Sequence, residues 1–105
     1  MNPQVKSAWV HALRSGVYEQ IRGYLRTSKG FCPLGVLADI SGLNEWQPTQ
    51  IRPELFFYDG SLGTLSQRIL DWAGLSERNQ SRILMLGDDE NYDFDAIADR
   101  IEDDL

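Results

Sequence analysis

Three arginines and two tyrosines lie close together just before the most apolar segment of the chain. They are Arg14, Tyr18, Arg22, Tyr24 and Arg26. Aromatic rings stack on bases and guanidinium groups fork onto phosphate, so this pattern is typical of a grip on a nucleotide. The same arginines could instead pair with acidic helices later in the chain. The candidate binding residues that we select are Tyr18, Arg22, Arg26 and, further along the chain, Tyr58.

The single cysteine, Cys32, and the single histidine, His11, are the two residues that could form a nucleophile pair. Cys32 lies in a strongly apolar segment, where a free cysteine behaves as a small buried hydrophobe. His11 falls off the apolar stripe of the first predicted helix. Because no nucleophile motif with an oxyanion partner accompanies them, we expect no catalytic residues and no enzyme activity.

An acidic cluster near the C-terminus is the remaining candidate for metal chemistry. Its members are Asp88, Asp89, Glu90, Asp93 and Asp95. They lack the spacing and the central glycine of a calcium loop, which favours a solvated loop before a capped helix. Lys29, Gly30 and Gly35 do not form a phosphate loop either, because no Gly-Lys-Ser/Thr follows at the required spacing. We therefore expect no metal site and no cofactor.

The charge of the chain, which is −6 overall, is unevenly divided between its halves. Residues 53–105 contain thirteen acidic residues and four arginines, whereas residues 1–52 are net positive. Carboxylates repel phosphate, so we expect no direct binding of nucleic acid. An acidic half could instead act as a decoy that imitates DNA, through Asp99, Glu102 and Asp103.

The elements that must position these residues are organised around residues 30–40, the longest apolar run. Pro33 suits the first turn of a helix, and Gly42 followed by Leu43 suits its end. A helix that is apolar nearly all round is buried, so we predict a buried central helix over residues 33–41. Gly35 would let a neighbouring element approach that helix closely.

Four further helices follow from caps and helical spacing of apolar residues. The predicted starts are Asn2 for a helix over residues 3–15, then Ser66, Ser76 and Asp93. Gly74 and Gly87 are the predicted ends of the helices that Ser66 and Ser76 cap. The last helix runs to the end of the chain.

The remaining segments predict a minor antiparallel sheet. Residues 17–29 form either a small hairpin or an ordered loop, and Asp59-Gly60 is a hairpin turn between β-prone flanks. Residues 44–53 read as a loop whose Trp46 faces a partner. We predict one α-rich α+β domain over residues 1–105, with about five helices around helix 33–41 and one or two small β-hairpins.

Four segments together resemble a family of small proteins encoded by tailed bacteriophages and prophages. They are W-x-x-A-L-R-S-G-x-Y-x-Q at residues 9–20, G-F-C-x-L-G-V-L at 30–37 with G-Y-L-R before it, W-A-G-L at 72–75, and F-x-x-I-A-D-x-I-E at 94–102. Relatives often carry extra cysteines around the core segment, where this chain has only Cys32. The resemblance implies no chemistry that transfers to particular residues.

The resemblance implies a small non-enzymatic phage accessory protein that acts in the host cytoplasm. We expect it to bind and block or sequester a host factor, either a host-defence protein or its nucleotide signal. The acidic DNA-mimic decoy is the alternative. No apolar run approaches the length of a membrane span, so we expect no membrane partner. The number of copies in the assembly stays open.

Overall fold

Helix α2 (Pro33–Ser41) is the buried centre of the fold, with the bounds that the sequence predicts. A computed structural model describes all of residues 1–105. Residues 33–38 are all buried, because side chains on every face of this helix are apolar or small. Gly42 ends the helix in the left-handed conformation, with φ of 62°.

Four helices and four short strands surround α2, which confirms the predicted α+β class with five helices. They are α1 (Pro3–Arg14), β1 (Arg26–Thr27), β2 (Gly30–Phe31), β3 (Gln47–Pro48), β4 (Leu55–Phe57), α3 (Gln67–Ala73), α4 (Glu77–Asp88) and α5 (Phe94–Asp104). None of the helices combines the length and the apolar character that crossing a membrane requires.

Helix α1 packs between α2 and α5, and a buried indole fixes its position. The Trp9 side chain is fully buried, and its Nε1–H donates to the carbonyl oxygen of Pro33 at 2.9 Å. Buried polar groups need such a partner, so this bond sets both the rotation and the height of α1 against α2. The Asn2 side chain caps α1 as predicted, accepting from the backbone N–H groups of Gln4 and Val5.

Gly35 is the point where the chain before β1 touches α2. A β-carbon at Gly35 would lie 1.9 Å from the carbonyl oxygen of Leu25, which no packing allows. The same carbonyl accepts the backbone N–H of Cys32 at 3.0 Å. The predicted close approach to Gly35 is confirmed, and it places Leu25 in the core immediately before strand β1.

The four strands form one antiparallel sheet in the order β2-β1-β4-β3. Of the two alternatives for residues 17–29, a hairpin is present, but over residues 26–31; Gln20 forms only a single bridge to Phe31. Asp59 and Gly60 have φ of 50° and 78°, as a type I′ hairpin turn requires. The two flanks of this turn pair only through the single bridge between Tyr58 and Ser61, so no second strand forms after it. Strand β4 instead pairs with the preceding strand β3 and with the distant strand β1, so the β1–β4 pairing is non-local.

Three local predictions differ from the structure. Strand β3 lies in the segment predicted to be a loop, because two residues that include a proline give no periodic signal. Gly87 does not end the helix as predicted: it lies within α4, which ends at Asp88, and it is buried. Ser66 starts α3, but its hydroxyl donates to Asp59 and leaves the helix without a side-chain cap.

Substitution of Gly35 by alanine tests the close approach to α2. Because the new methyl group would collide with the Leu25 carbonyl, we expect Gly35→Ala to lower the free energy of unfolding by about 3 kcal/mol, measured by urea denaturation. Gly63→Ala is the matched control, because its β-carbon would lie 3.9 Å from the nearest atom. Equal losses in the free energy of unfolding for the two variants would contradict the close approach of Leu25 to Gly35.

Candidate functional site

Strand register brings an arginine and two phenylalanines into one row across the sheet. Arg26 lies directly opposite Phe31 on one side and Phe56 on the other, and Phe56 lies opposite Pro48. Residues directly opposite each other share one face of a sheet. The row therefore runs Phe31, Arg26, Phe56, Pro48 over all four strands, while Leu55 points to the other, buried side.

The Arg26 guanidinium carbon lies against three aromatic rings. It is 4.6 Å from the centroid of Phe56, 4.8 Å from that of Phe31 and 5.5 Å from that of Trp46. Each ring face attracts a cation, so the three contacts together hold the guanidinium at one place on the sheet. We call Arg26, Phe31, Trp46 and Phe56 the Arg26 site, and all four residues are half-buried.

The Arg26 side chain has no hydrogen-bond acceptor within the protein. Five other arginines donate to protein oxygens, namely Arg14, Arg22, Arg52, Arg68 and Arg82. Arg26 is absent from every ion pair as well. A guanidinium carries five N–H donors in a planar fork that matches phosphate or carboxylate. Those donors are available to an acceptor from outside the chain.

Asp39 on α2 holds two aromatic side chains near Arg26 through hydrogen bonds. One carboxylate oxygen accepts the Tyr18 hydroxyl at 2.5 Å, and the other accepts the Nε1–H of Trp46 at 3.0 Å. The Tyr18 ring packs edge-on against Phe31, with centroids 4.9 Å apart. Burial first, and then the hydrogen bond to Asp39, raise the pKa of Tyr18 to about 12. Asp39 thereby orients two of the aromatic residues around the site.

The structure places the four predicted binding residues in different environments. Arg26 is the centre of the site, and Tyr18 supports it through Asp39 and Phe31. Arg22 lies outside it: its Nε–H donates to the Gly87 carbonyl at 2.7 Å, near the end of α4. Arg22 thus contacts the acidic half through a backbone carbonyl and forms no ion pair with it.

Tyr58 is a core residue, and ligand contact through it does not fit the structure. Its side chain is 2% exposed. The hydroxyl accepts the backbone N–H of Asn44 at 2.6 Å and donates to the Asn44 carbonyl at 2.9 Å, so both of its hydrogen-bonding roles are filled. Its ring supports Trp46 from the side, with centroids 4.9 Å apart.

Sequence reasoning missed Phe31 and Phe56, whereas it placed Trp46 correctly outside the strands and singled it out as a partner-facing residue. A row across a sheet depends on which strands pair, and the β1–β4 pairing joins residues about thirty positions apart. The sequence does show β-prone residues around Arg26 and in the run Leu55–Phe57. These patterns indicate where strands lie, but not which strands pair with each other.

Cys32 and His11 do not form a nucleophile pair. Cys32 is buried, and its sulfur accepts the backbone N–H of Gly35 at 3.4 Å. Burial raises the pKa of this thiol to about 11, which disfavours the thiolate that a nucleophile requires. His11 lies exposed on α1. In the acidic loop and elsewhere, no three acidic, cysteine or histidine side chains gather to hold a metal ion.

Arginines neutralise part of the acidic surface on α5. Arg14 contacts Asp99 at 2.6 Å and Glu102 at 3.0 Å, and Arg82 contacts Asp104 at 3.0 Å. A decoy of DNA needs rows of carboxylates that are free to meet a basic partner. These pairs leave fewer of them, so the geometry favours the Arg26 site over the acidic helix.

Two surface clefts of about 240 Å³ lie away from the Arg26 site. The first lies between α1 and the start of α5 and shares Tyr18 with the support of the site; the second lies beside Lys6 and Glu102. Neither includes Arg26. The Arg26 site thus lies on the surface of the sheet and outside both clefts.

Comparison with known proteins places the whole chain in one sequence family. A family model described as a domain of unknown function (DUF8296) matches residues 1–105. No curated protein and no solved structure shows a significant match to the chain.

Titration of Tyr18 tests the support from Asp39. In Asp39→Asn we expect the pKa of Tyr18 to fall from about 12 towards its ordinary value of 10.0, while burial keeps part of the rise. Ring-carbon NMR shifts followed against pH measure it. Because folding raises this pKa, its contribution to stability is complete below pH 10 and is lost as pH rises through 12. The control is Asp71→Asn, on the exposed face of α3, which should leave the Tyr18 pKa unchanged. If Asp39→Asn also left the Tyr18 pKa unchanged, that result would contradict the hydrogen bond between Tyr18 and Asp39.

Proposed function

The chain belongs to the DUF8296 family over its full length, and we propose that it is a non-enzymatic binding protein that sequesters a small nucleotide. The observation that carries this proposal is the Arg26 guanidinium, held over three rings with no acceptor of its own. A nucleotide joins an aromatic base to a phosphate, which are the two groups that such a site attracts.

The resemblance to small phage and prophage proteins supplies the biological setting of the proposal. A phage accessory protein made in the infected cell would meet its target in the host cytoplasm. Sequestering a nucleotide that a host-defence system uses as its signal would block that system without contact with its proteins. Stoichiometric capture of a small molecule also suits a chain of 105 residues.

The chemistry around the Arg26 site supports binding rather than turnover. Bond cleavage needs a general base or a nucleophile within reach of the reacting atom. The Asp39 carboxylate, which supports the site, already accepts hydrogen bonds from Tyr18 and Trp46 on its two oxygens. The only thiol is buried and holds its proton, so the site offers donors and rings but no base.

Isothermal titration with adenosine 5′-monophosphate and with cyclic di-adenosine monophosphate as probes tests the proposal. We expect at least one of them to bind, and Arg26→Gln to weaken binding by about 10- to 100-fold, because a hydrogen bond to a charged group contributes roughly 1.5–3 kcal/mol. Arg26→Lys keeps the charge but loses the planar fork, so it should also bind more weakly.

Arg78→Gln is the matched control, because Arg78 is exposed, forms no ion pair and lies on α4. It removes the same charge and should bind both probes as the unmodified protein does. Thermal unfolding of each variant confirms that the fold is retained. The proposal is overturned if neither probe binds at millimolar concentration, or if Arg26→Gln and Arg78→Gln lose the same affinity.

A further inference from the structure

We infer that the Arg26 site selects its ligand by the phosphate and by the presence of a flat ring, and that it does not distinguish one base from another. This inference rests on the proposed function and concerns the ligand class of the same site. It follows from which polar atoms around the site are already hydrogen-bonded and which are free.

The aromatic residues around Arg26 offer ring faces but no free polar atoms. Phe31 and Phe56 have none. The Nε1–H of Trp46 and the hydroxyl of Tyr18 both bond to Asp39, and the Tyr58 hydroxyl bonds to the Asn44 backbone. Bases are told apart by hydrogen bonds to their edges, whereas stacking tolerates every base because each has a π-face.

The side chains at the two ends of the row, Phe31 and Pro48, carry no donor or acceptor that could read a base. Pro48 forms the β3 end of the row, and proline has no backbone N–H. In the connection from β3 to β4, the Arg52 guanidinium and the Glu54 carboxylate bond to each other at 2.9 Å. The base would therefore meet ring faces and a proline ring, all of which are indifferent to its exocyclic groups.

The free donors of Arg26 are the polar groups left at the centre of the row, and they match phosphate. A site built to hydrogen-bond one group strongly rejects an analogue that lacks it, whereas a site that only stacks a group discriminates weakly between variants of that group. Removing the phosphate should thus cost far more affinity than exchanging the base.

Titration of the unmodified protein with the four ribonucleoside 5′-monophosphates, adenosine and phenyl phosphate tests this inference. We expect the four nucleotides to differ by no more than about fivefold, with the purines tighter through their larger stacking area. Adenosine should bind at least about 10-fold more weakly than its monophosphate. Phenyl phosphate, which has a ring and a phosphate but no base edge, should still bind.

Phe56→Leu and Phe57→Leu form a matched pair for the stacking part of the inference. The two phenylalanines are neighbours on β4 and point to opposite faces of the sheet. Loss of the Phe56 ring should weaken all four nucleotides by a similar factor, and loss of the Phe57 ring should leave them unchanged.

The outcomes separate this inference from the proposed function. If the nucleotides bind but one base is preferred by about 30-fold or more, a base-reading group exists and the inference fails while the proposed function stands. Adenosine binding as tightly as its monophosphate would also overturn the inference. If no nucleotide binds, the proposed function itself fails, and the inference fails with it.

Discussion

The contact between the Leu25 backbone and Gly35 is the constraint on which the rest of the structure depends. At this point an irregular segment touches the central helix with no side chain between them. Leu25 enters the core, and the next residue, Arg26, begins strand β1 and faces away from it. The position of the Arg26 guanidinium over Phe31 and Phe56 thus depends on Gly35 of the central helix α2. A second close approach, of Gly30 to the Glu19 carbonyl, holds the other strand of the hairpin in the same way.

Two arginines of the basic first half hold the acidic second half of the chain. Arg14 pairs with α5 and Arg22 with the end of α4, so two of the three arginines before the core helix join distant parts of the chain. Arg26 differs because it alone lies on a strand whose neighbours are aromatic. Its charge is balanced by ring faces, which attract a cation without occupying its N–H donors. That difference separates an arginine that supports the fold from one that is available to a ligand.

The helices could be predicted from the sequence because their determinants are local. Asn2, Ser76 and Asp93 cap their helices through side-chain bonds to the first turn, and Pro33 and Gly42 delimit α2 as expected. The sheet could not be predicted to the same extent. Its strands have two or three residues, and the register that joins Arg26 to Phe56 spans the central helix and a long loop. The sequence therefore identified Arg26 and Tyr18 as site residues. It did not identify Phe31 and Phe56, because no local pattern connects these two residues to Arg26. Tyr58 fitted the composition of a binding residue and proved to be a core residue.

The shortness of these strands determines how the site behaves when the protein opens. A sheet of two- and three-residue strands is too small to be stable by itself, so it depends on contacts with the core such as that of Leu25 with Gly35. The sheet that carries the Arg26 site and the core then open together, as one cooperative unit. A molecule held at Arg26 would accordingly slow hydrogen exchange in the central helix as well as at the surface where it lies, because its binding free energy is added to that of the whole fold.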